Sequence, residues 1–235
     1  MEKLLETFEA LKQKNLSIDL TRGKPHSVQL DLSNDLMTQA VDPIGENGVD
    51  LRNYGEPIGI IEARKLGAEI LDSKIDLTIA GEQSSYLLMT QLLLGRFLFG
   101  LDDDPWKNDK EPAFLCAVPG FDRHFATLEG LGLKMHTVNL CSHGIDLDDL
   151  NKKLSKYPNI KGLICVPRHS NPSGEVFSDE NITNLLQITK EYNPSFINLF
   201  DHAYLIHDFD ETRAQTPIPL LADGLGALDN VAVFT

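Results

Sequence analysis

From residue 112 onward, short strand-like runs, most of them apolar, at 114–118, 134–140, 162–166, 196–200 and 231–234 alternate with stretches that carry helix signals. Uninterrupted apolar runs of this length suit parallel strands covered on both faces, because a strand with one wet face would alternate polar and apolar residues. The stretches between them read as helices. Ser178, ahead of Asp179, Glu180 and Asn181, can cap one that runs to about residue 191. The alternation predicts an α/β architecture with a mostly parallel sheet flanked by helices. Ligands of such sheets sit beyond the carboxyl ends of the strands. Polar segments follow those ends here: Pro119-Gly120-Phe121-Asp122, Asn171 and Asp201.

Upstream, Leu4, Leu5, Phe8 and Leu11 recur at helical spacing and predict an amphipathic helix ending near Asn15. Turn residues dominate 19–54, and a helical pattern returns over 62–73. The segment 86–99 is almost wholly apolar for more than three turns. It predicts a helix buried between the sheet and another layer, too short to cross a membrane. Lys and Arg total 21 against 35 Asp and Glu, a net charge of −14, which disfavours nucleic acid and anionic membrane surfaces as partners. Three cysteines without CxxC spacing, two of them in apolar runs, suit a reducing compartment. With acids at the amino end and no secretory leader pattern, the expectation is a cytoplasmic, soluble protein. His202 and His207 stand five residues apart with no third ligand nearby, so no metal is expected. The acidic clusters 102–104 and 146–149 read as loop ends and helix caps.

Five motifs stand in order along the chain: RNYGEPIG at 52–59, AGEQSS at 80–85, PGFDRHF at 119–125, PRHSNPSG at 167–174 and DHAY at 201–204. Singly each reads equally as turns, caps or core aromatics. Together they resemble the fold type I pyridoxal 5′-phosphate enzymes. The closer resemblance is to class I aminotransferases, in a subgroup of aspartate aminotransferases related to the MocR regulators. It implies the α/β large domain of the PLP-dependent transferase fold over 51–235, with 1–50 as an N-terminal arm and part of a small domain. It also implies a truncation before the Schiff-base lysine and a missing C-terminal small domain.

The same resemblance assigns roles. Asp201 keeps the pyridine nitrogen protonated, Asn171 and Tyr204 polarise the ring's phenolic oxygen, and Phe121 stacks on the ring. Gln83, Ser84 and Ser85 receive the phosphate where a helix begins, although Glu82 puts a negative charge beside it. Tyr54 corresponds to a tyrosine that reaches the neighbouring subunit's phosphate, which implies a homodimer. Gly23 corresponds to the substrate-facing N-terminal loop, and Asn171 also faces substrate. Arg123 and His124 read as a solvated arginine and a satisfied histidine. The lysine is expected beyond Thr235, shortly after the 231–234 run, so no catalytic residue is assigned and the 235 residues alone are expected to be inactive. The complete protein would exchange an amino group between an amino acid, aspartate by the resemblance, and a 2-oxo acid, 2-oxoglutarate. Two other readings stay open: a non-catalytic PLP-binding or MocR-like regulatory module, and a nucleotide-binding α/β domain. The latter lacks GxGxxG and GxxxxGKS/T loops.

Overall fold

The computed structural model describes residues 2–18, 23–101, 104–208 and 215–235. Contacts divide the chain into two compact units, Met1–Pro43 and Ile44–Thr235. The first contains helix α1 (Glu2–Gln13) and a short helix α2 (Ser27–Asp31). The α2 start is a reciprocal cap: the His26 ring accepts from the Val28 amide at 3.3 Å, and the Gln29 side chain accepts from the His26 amide at 2.7 Å. Every residue of this unit with a described side chain is exposed, including Leu4, Leu5, Phe8 and Leu11 of the α1 stripe.

The second unit begins with helices α3 (Ile61–Leu71) and α4 (Ser85–Leu98). Strands and helices then alternate: β1 (Ala113–Val118), α5 (Asp122–Gly130), β2 (Lys134–Cys141), β3 (Gly144–Ile145), α6 (Leu147–Lys156), β4 (Ile160–Cys165), α7 (Asp179–Tyr192), β5 (Ile197–Asp201), α8 (Ile218–Gly224) and β6 (Val231–Phe234). The sheet order is β3-β2-β1-β4-β5-β6, parallel throughout except for the β2–β3 pair. The five runs thus become the parallel strands. The two-residue β3 is too short to leave a periodicity in the sequence.

Side chains alternate across the sheet, as the pleat requires. Leu115, Ala117, Leu163 and Cys165 face the layer of α6, α7 and α8. Phe114, Cys116 and Ile164 face α4, α5 and Trp106. The sheet is therefore covered on both faces along β1, β4 and β5, the physical reason these strands are buried almost throughout, whereas β2 carries polar residues and leaves Lys134, Thr137 and Asn139 exposed. Ser178 does cap α7, its hydroxyl accepting from the Asn181 amide at 3.1 Å. Asp146 caps α6 in the same way, taking the amides of Asp148 and Asp149. Helix α4 departs from its expected burial: Met89, Leu93 and Arg96 are buried, but Leu87 and Leu94 are exposed. One side of α4 packs on the Trp106–Phe114 cluster, while Leu87 and Leu94 stand away from it. Cys116 and Cys165 are buried free thiols, and burial raises both their pKa values, Cys116 to about 12. No helix among the described residues is long and apolar enough to cross a membrane.

Candidate functional site

Strands β1, β4 and β5 lie side by side and run the same way, so the segments after them open on one edge of the sheet. Asp201 ends β5 and is 7% exposed, its Oδ2 2.9 Å from Nε2 of His124. The His124 ring sits on α5 and is buried as well. A carboxylate this far from water needs such a partner, since an unpaired one would forfeit its hydration. Oδ1 accepts from the Ala203 amide at 3.3 Å, which starts the turn that follows. Phe121, the residue before α5, sets its half-buried ring edge-on to His124, with centroids 5.1 Å apart. Phe121, His124 and Asp201 thus form one contiguous group. The negative charge of Asp201 is also felt at Cys165, whose thiol is raised first by burial and then by that charge.

Asn171 follows β4 in a tight loop. The Ser170 amide donates to the Glu175 carbonyl at 2.9 Å, the Ser170 carbonyl accepts from Gly174 at 2.5 Å, and the Asn171-Pro172 peptide is cis. Tyr204 lies in the turn after β5, where the Leu205 amide donates to the His202 carbonyl and the His207 amide to the Tyr204 carbonyl. Neither the Asn171 amide group nor the Tyr204 hydroxyl is spent on a hydrogen bond among the described residues. Both side chains are half-buried. His202, between Asp201 and this turn, is buried and neutral, its pKa pushed down to about 4 by desolvation and then by the Arg168 charge.

Helix α4 begins without a side-chain cap. Ser84 holds the N-cap position in extended backbone, and its carbonyl accepts from Leu87 and Leu88. The Ser85 and Tyr86 amides and the Gln83, Ser84 and Ser85 side chains remain unspent among the described residues, a donor set suited to an anion. The adverse charge expected from Glu82 has a partner: Glu82 accepts from Gln91 at 2.5 Å, inside α4. The Tyr86 hydroxyl lies 2.6 Å from Thr127 Oγ1 and ties the start of α4 to α5, the helix that carries His124. The 52–59 segment is drawn to the 80–85 segment at Gly59. Its φ is +91°, and a Cβ there would lie 2.0 Å from the Ala80 carbonyl oxygen, so only glycine fits. There the Ala80 amide donates to the Ile58 carbonyl at 2.9 Å.

Tyr54 is 97% exposed. Gly23 belongs to the Met1–Pro43 unit and has open space where a Cβ would be. Arg123 is exposed, as expected. His124 is satisfied, also as expected, but its partner is the site carboxylate itself, 77 residues away in sequence. The only local signal for it is its place three residues after Phe121, on the side of α5 that faces the sheet. No cluster of metal-ligating side chains occurs among the described residues.

The profile of the family described as aspartate amino-transferase matches residues 1–235. An aspartate aminotransferase of Corynebacterium glutamicum is 34% identical over 241 residues, an alignment covering 100% of this chain and 55% of that protein. The crystal structure of an aspartate transaminase from the same organism superimposes with a TM-score of 0.87 at 32% identity, covering 99% of this chain and 55% of the other. An archaeal alanine:glyoxylate aminotransferase shares the fold at a TM-score of 0.62 and 20% identity, covering 99% of this chain and 55% of that one. The chain therefore spans about half the length of the relatives it matches.

Proposed function

The chain belongs to the aspartate aminotransferase family, and from that premise we propose that its strand-end site binds pyridoxal 5′-phosphate and supplies half of the machinery of a transaminase. The observation that carries this is the buried Asp201–His124 pair beside unspent donors of two kinds. Those donors are the Asn171 and Tyr204 side chains, and the uncapped start of α4 with Gln83, Ser84 and Ser85. The three sets of groups suit, respectively, a ring nitrogen that keeps a proton, an anionic phenolic oxygen and a phosphate dianion. When bound, the pyridine ring of this cofactor is an electron sink for the electrons of an amino acid's Cα–H bond.

The chain's own groups then have separate tasks. Asp201 accepts a hydrogen bond from the ring nitrogen and favours its protonated form, while His124 holds the carboxylate in place from behind. Asn171 and Tyr204 donate to the phenolic oxygen, and Asn171 also borders the substrate. Phe121 limits the tilt of the ring and excludes water from its face. Tyr54, exposed on one chain, is available to the phosphate held by a second copy in a homodimer, and Gly23 leaves room for substrate in the N-terminal segment. Aspartate and 2-oxoglutarate are the proposed substrates, in a cytoplasmic setting that keeps the three thiols reduced. No lysine lies in the segments that build the site. The 235 residues are therefore expected to bind the cofactor without turning over aspartate.

Cofactor binding by the chain, followed by absorbance, tests the assignment. Asp201→Ala is expected to weaken binding at least tenfold, the loss of about 1.4 kcal/mol or more when a charged partner goes. Unchanged affinity would remove Asp201 from the site. Transamination of 2-oxoglutarate by the protein purified from its source, with its intact mass measured alongside, tests the activity. A mass near 26.1 kDa together with turnover above a cofactor-only control would overturn the division of labour argued here.

A further inference from the structure

The loop that carries Asn171 and the turn that carries Tyr204 are joined a second time, away from the site groups. Arg168, three residues before Asn171, is 4% exposed, and its Nε donates to Asp208 Oδ1 at 2.8 Å. A terminal nitrogen of the same guanidinium pairs with Asp208 Oδ2, so the contact is bidentate. Nε2 of His169 lies 2.8 Å from the same Oδ1. Asp208 thus bridges two consecutive residues of the β4 loop from a position four residues beyond Tyr204. Gln215 completes the surroundings, with Oε1 3.5 Å from Arg168 and its amide donating to the Phe177 carbonyl at 2.8 Å.

The two loops are not equally braced. The Asn171 loop closes on itself through the Ser170–Glu175 and Gly174–Ser170 backbone bonds. The backbone bonds within the Tyr204 turn run between His202 and Leu205 and between Tyr204 and His207. It is held at its start by the end of β5 and by His202, whose amide donates to the Phe234 carbonyl and whose carbonyl accepts from Thr235 Oγ1, and at its far end by Asp208. The Arg168 charge is buried, so releasing Asp208 would strand it, and the pairing is correspondingly firm. Two donors can serve one oxygen only if both lie within about 3 Å of it. A shift of about 1 Å in either loop is enough to lose one of them.

We propose that Asp208 is a positioning residue: by clamping Arg168 and His169 it sets the separation between the Tyr204 hydroxyl and the Asn171 amide, so that both reach the same ligand oxygen. This rests on the reading above that these two groups hold the phenolic oxygen of the cofactor. The test uses the 235-residue chain with pyridoxal 5′-phosphate and two readouts. One is the pH midpoint of the bound cofactor's visible band, which reports protonation of that oxygen. The other is amide hydrogen exchange of residues 202–207. Loss of a donor makes the anionic oxygen less favourable, so Tyr204→Phe and Asn171→Ala raise the midpoint. Asp208→Asn is expected to raise it too, with faster exchange at 202–207, and Asp208→Glu to restore both. His169→Ala removes one arm of the clamp from a side chain that is 33% exposed, and gives a smaller shift in a chain that folds even if Asp208→Asn does not.

If Tyr204→Phe and Asn171→Ala move the band while Asp208→Asn and His169→Ala leave it unmoved, the clamp has no positioning role and the site assignment stands. If Tyr204→Phe and Asn171→Ala leave it unmoved in a chain that binds the cofactor, the assignment of the phenolic oxygen is wrong. A chain that binds no cofactor ends both.

Discussion

A histidine buried without a partner resists protonation, and His202, next in the chain to the site carboxylate Asp201, is such a residue. His124 is satisfied by Asp201, whereas Nδ1 of His202 finds no partner among the described residues. Desolvation and the Arg168 charge hold the His202 pKa at about 4, below the 6.5 of a free imidazole. The sign follows from proton uptake. Between pH 6.5 and 4 the unfolded chain binds a proton at this residue that the folded chain refuses, so stability falls as pH drops through that window and is unaffected by His202 above it. The full effect is on the order of 3 kcal/mol. Urea midpoints measured from about pH 7 to about pH 4 should show this decline, and His202→Gln should flatten it; an equal decline in the variant would place its origin elsewhere. At this scale the sequence was legible for placement: Asp201 ends a strand, and Asn171 and Tyr204 lie in the segments that follow strands, as the motif order implies. It was not legible for the partner of His124, because nothing local to residue 124 specifies which strand end it will face.

Among the elements, α7 shows how far local rules reach. Its start at Ser178 is readable because capping involves residues three apart. Its second task is not: the Asn181 side chain accepts from the Ile145 amide at 2.9 Å and donates to the Ile145 carbonyl at 2.8 Å, replacing the neighbour that the sheet edge at β3 lacks. Gly144 beside it has φ +141°, and a Cβ there would lie 2.0 Å from Asn181 Oδ1. Asn181→Ala leaves the buried Ile145 N–H unpaired and its C=O with only the Cys141 thiol, and should cost about 2 kcal/mol, against about 1 kcal/mol for Ser178→Ala. Chemical denaturation of the two variants ranks them, and equal losses would show that β3 does not depend on α7. Helix α4 gives the opposite lesson. Its composition predicts burial on all sides, but a helix is buried only where another element lies against it, and here Met89 and Leu93 pack on the Trp106 cluster while Leu87 and Leu94 are exposed.

At the scale of the molecule, the two units differ in what their apolar residues do. In Ile44–Thr235 they fill both faces of the sheet. In Met1–Pro43 no described residue is buried, although Leu4, Leu5, Phe8, Leu30, Leu36 and Met37 are all large and apolar. Local opening is least costly where few apolar contacts are lost. Limited trypsin digestion is therefore expected to cut at Lys12 and Lys14 before Lys161, whose side chain is 13% exposed, or Arg168, which is buried. Early cleavage at Lys161 or Arg168 would contradict this ordering. By itself, the sequence determined which segments become strands and helices, where several helices start, and that the strand ends carry the polar chemistry. Pleat, helical period and caps depend on neighbours a few residues apart. The tertiary structure alone decided which of those groups meet: His124 with Asp201, Asn181 with Ile145, and Asp208 with Arg168, separated by 77, 36 and 40 residues. Such pairings follow from sheet order and register, which are set by burial summed over the whole core, and no short stretch of sequence contains that sum.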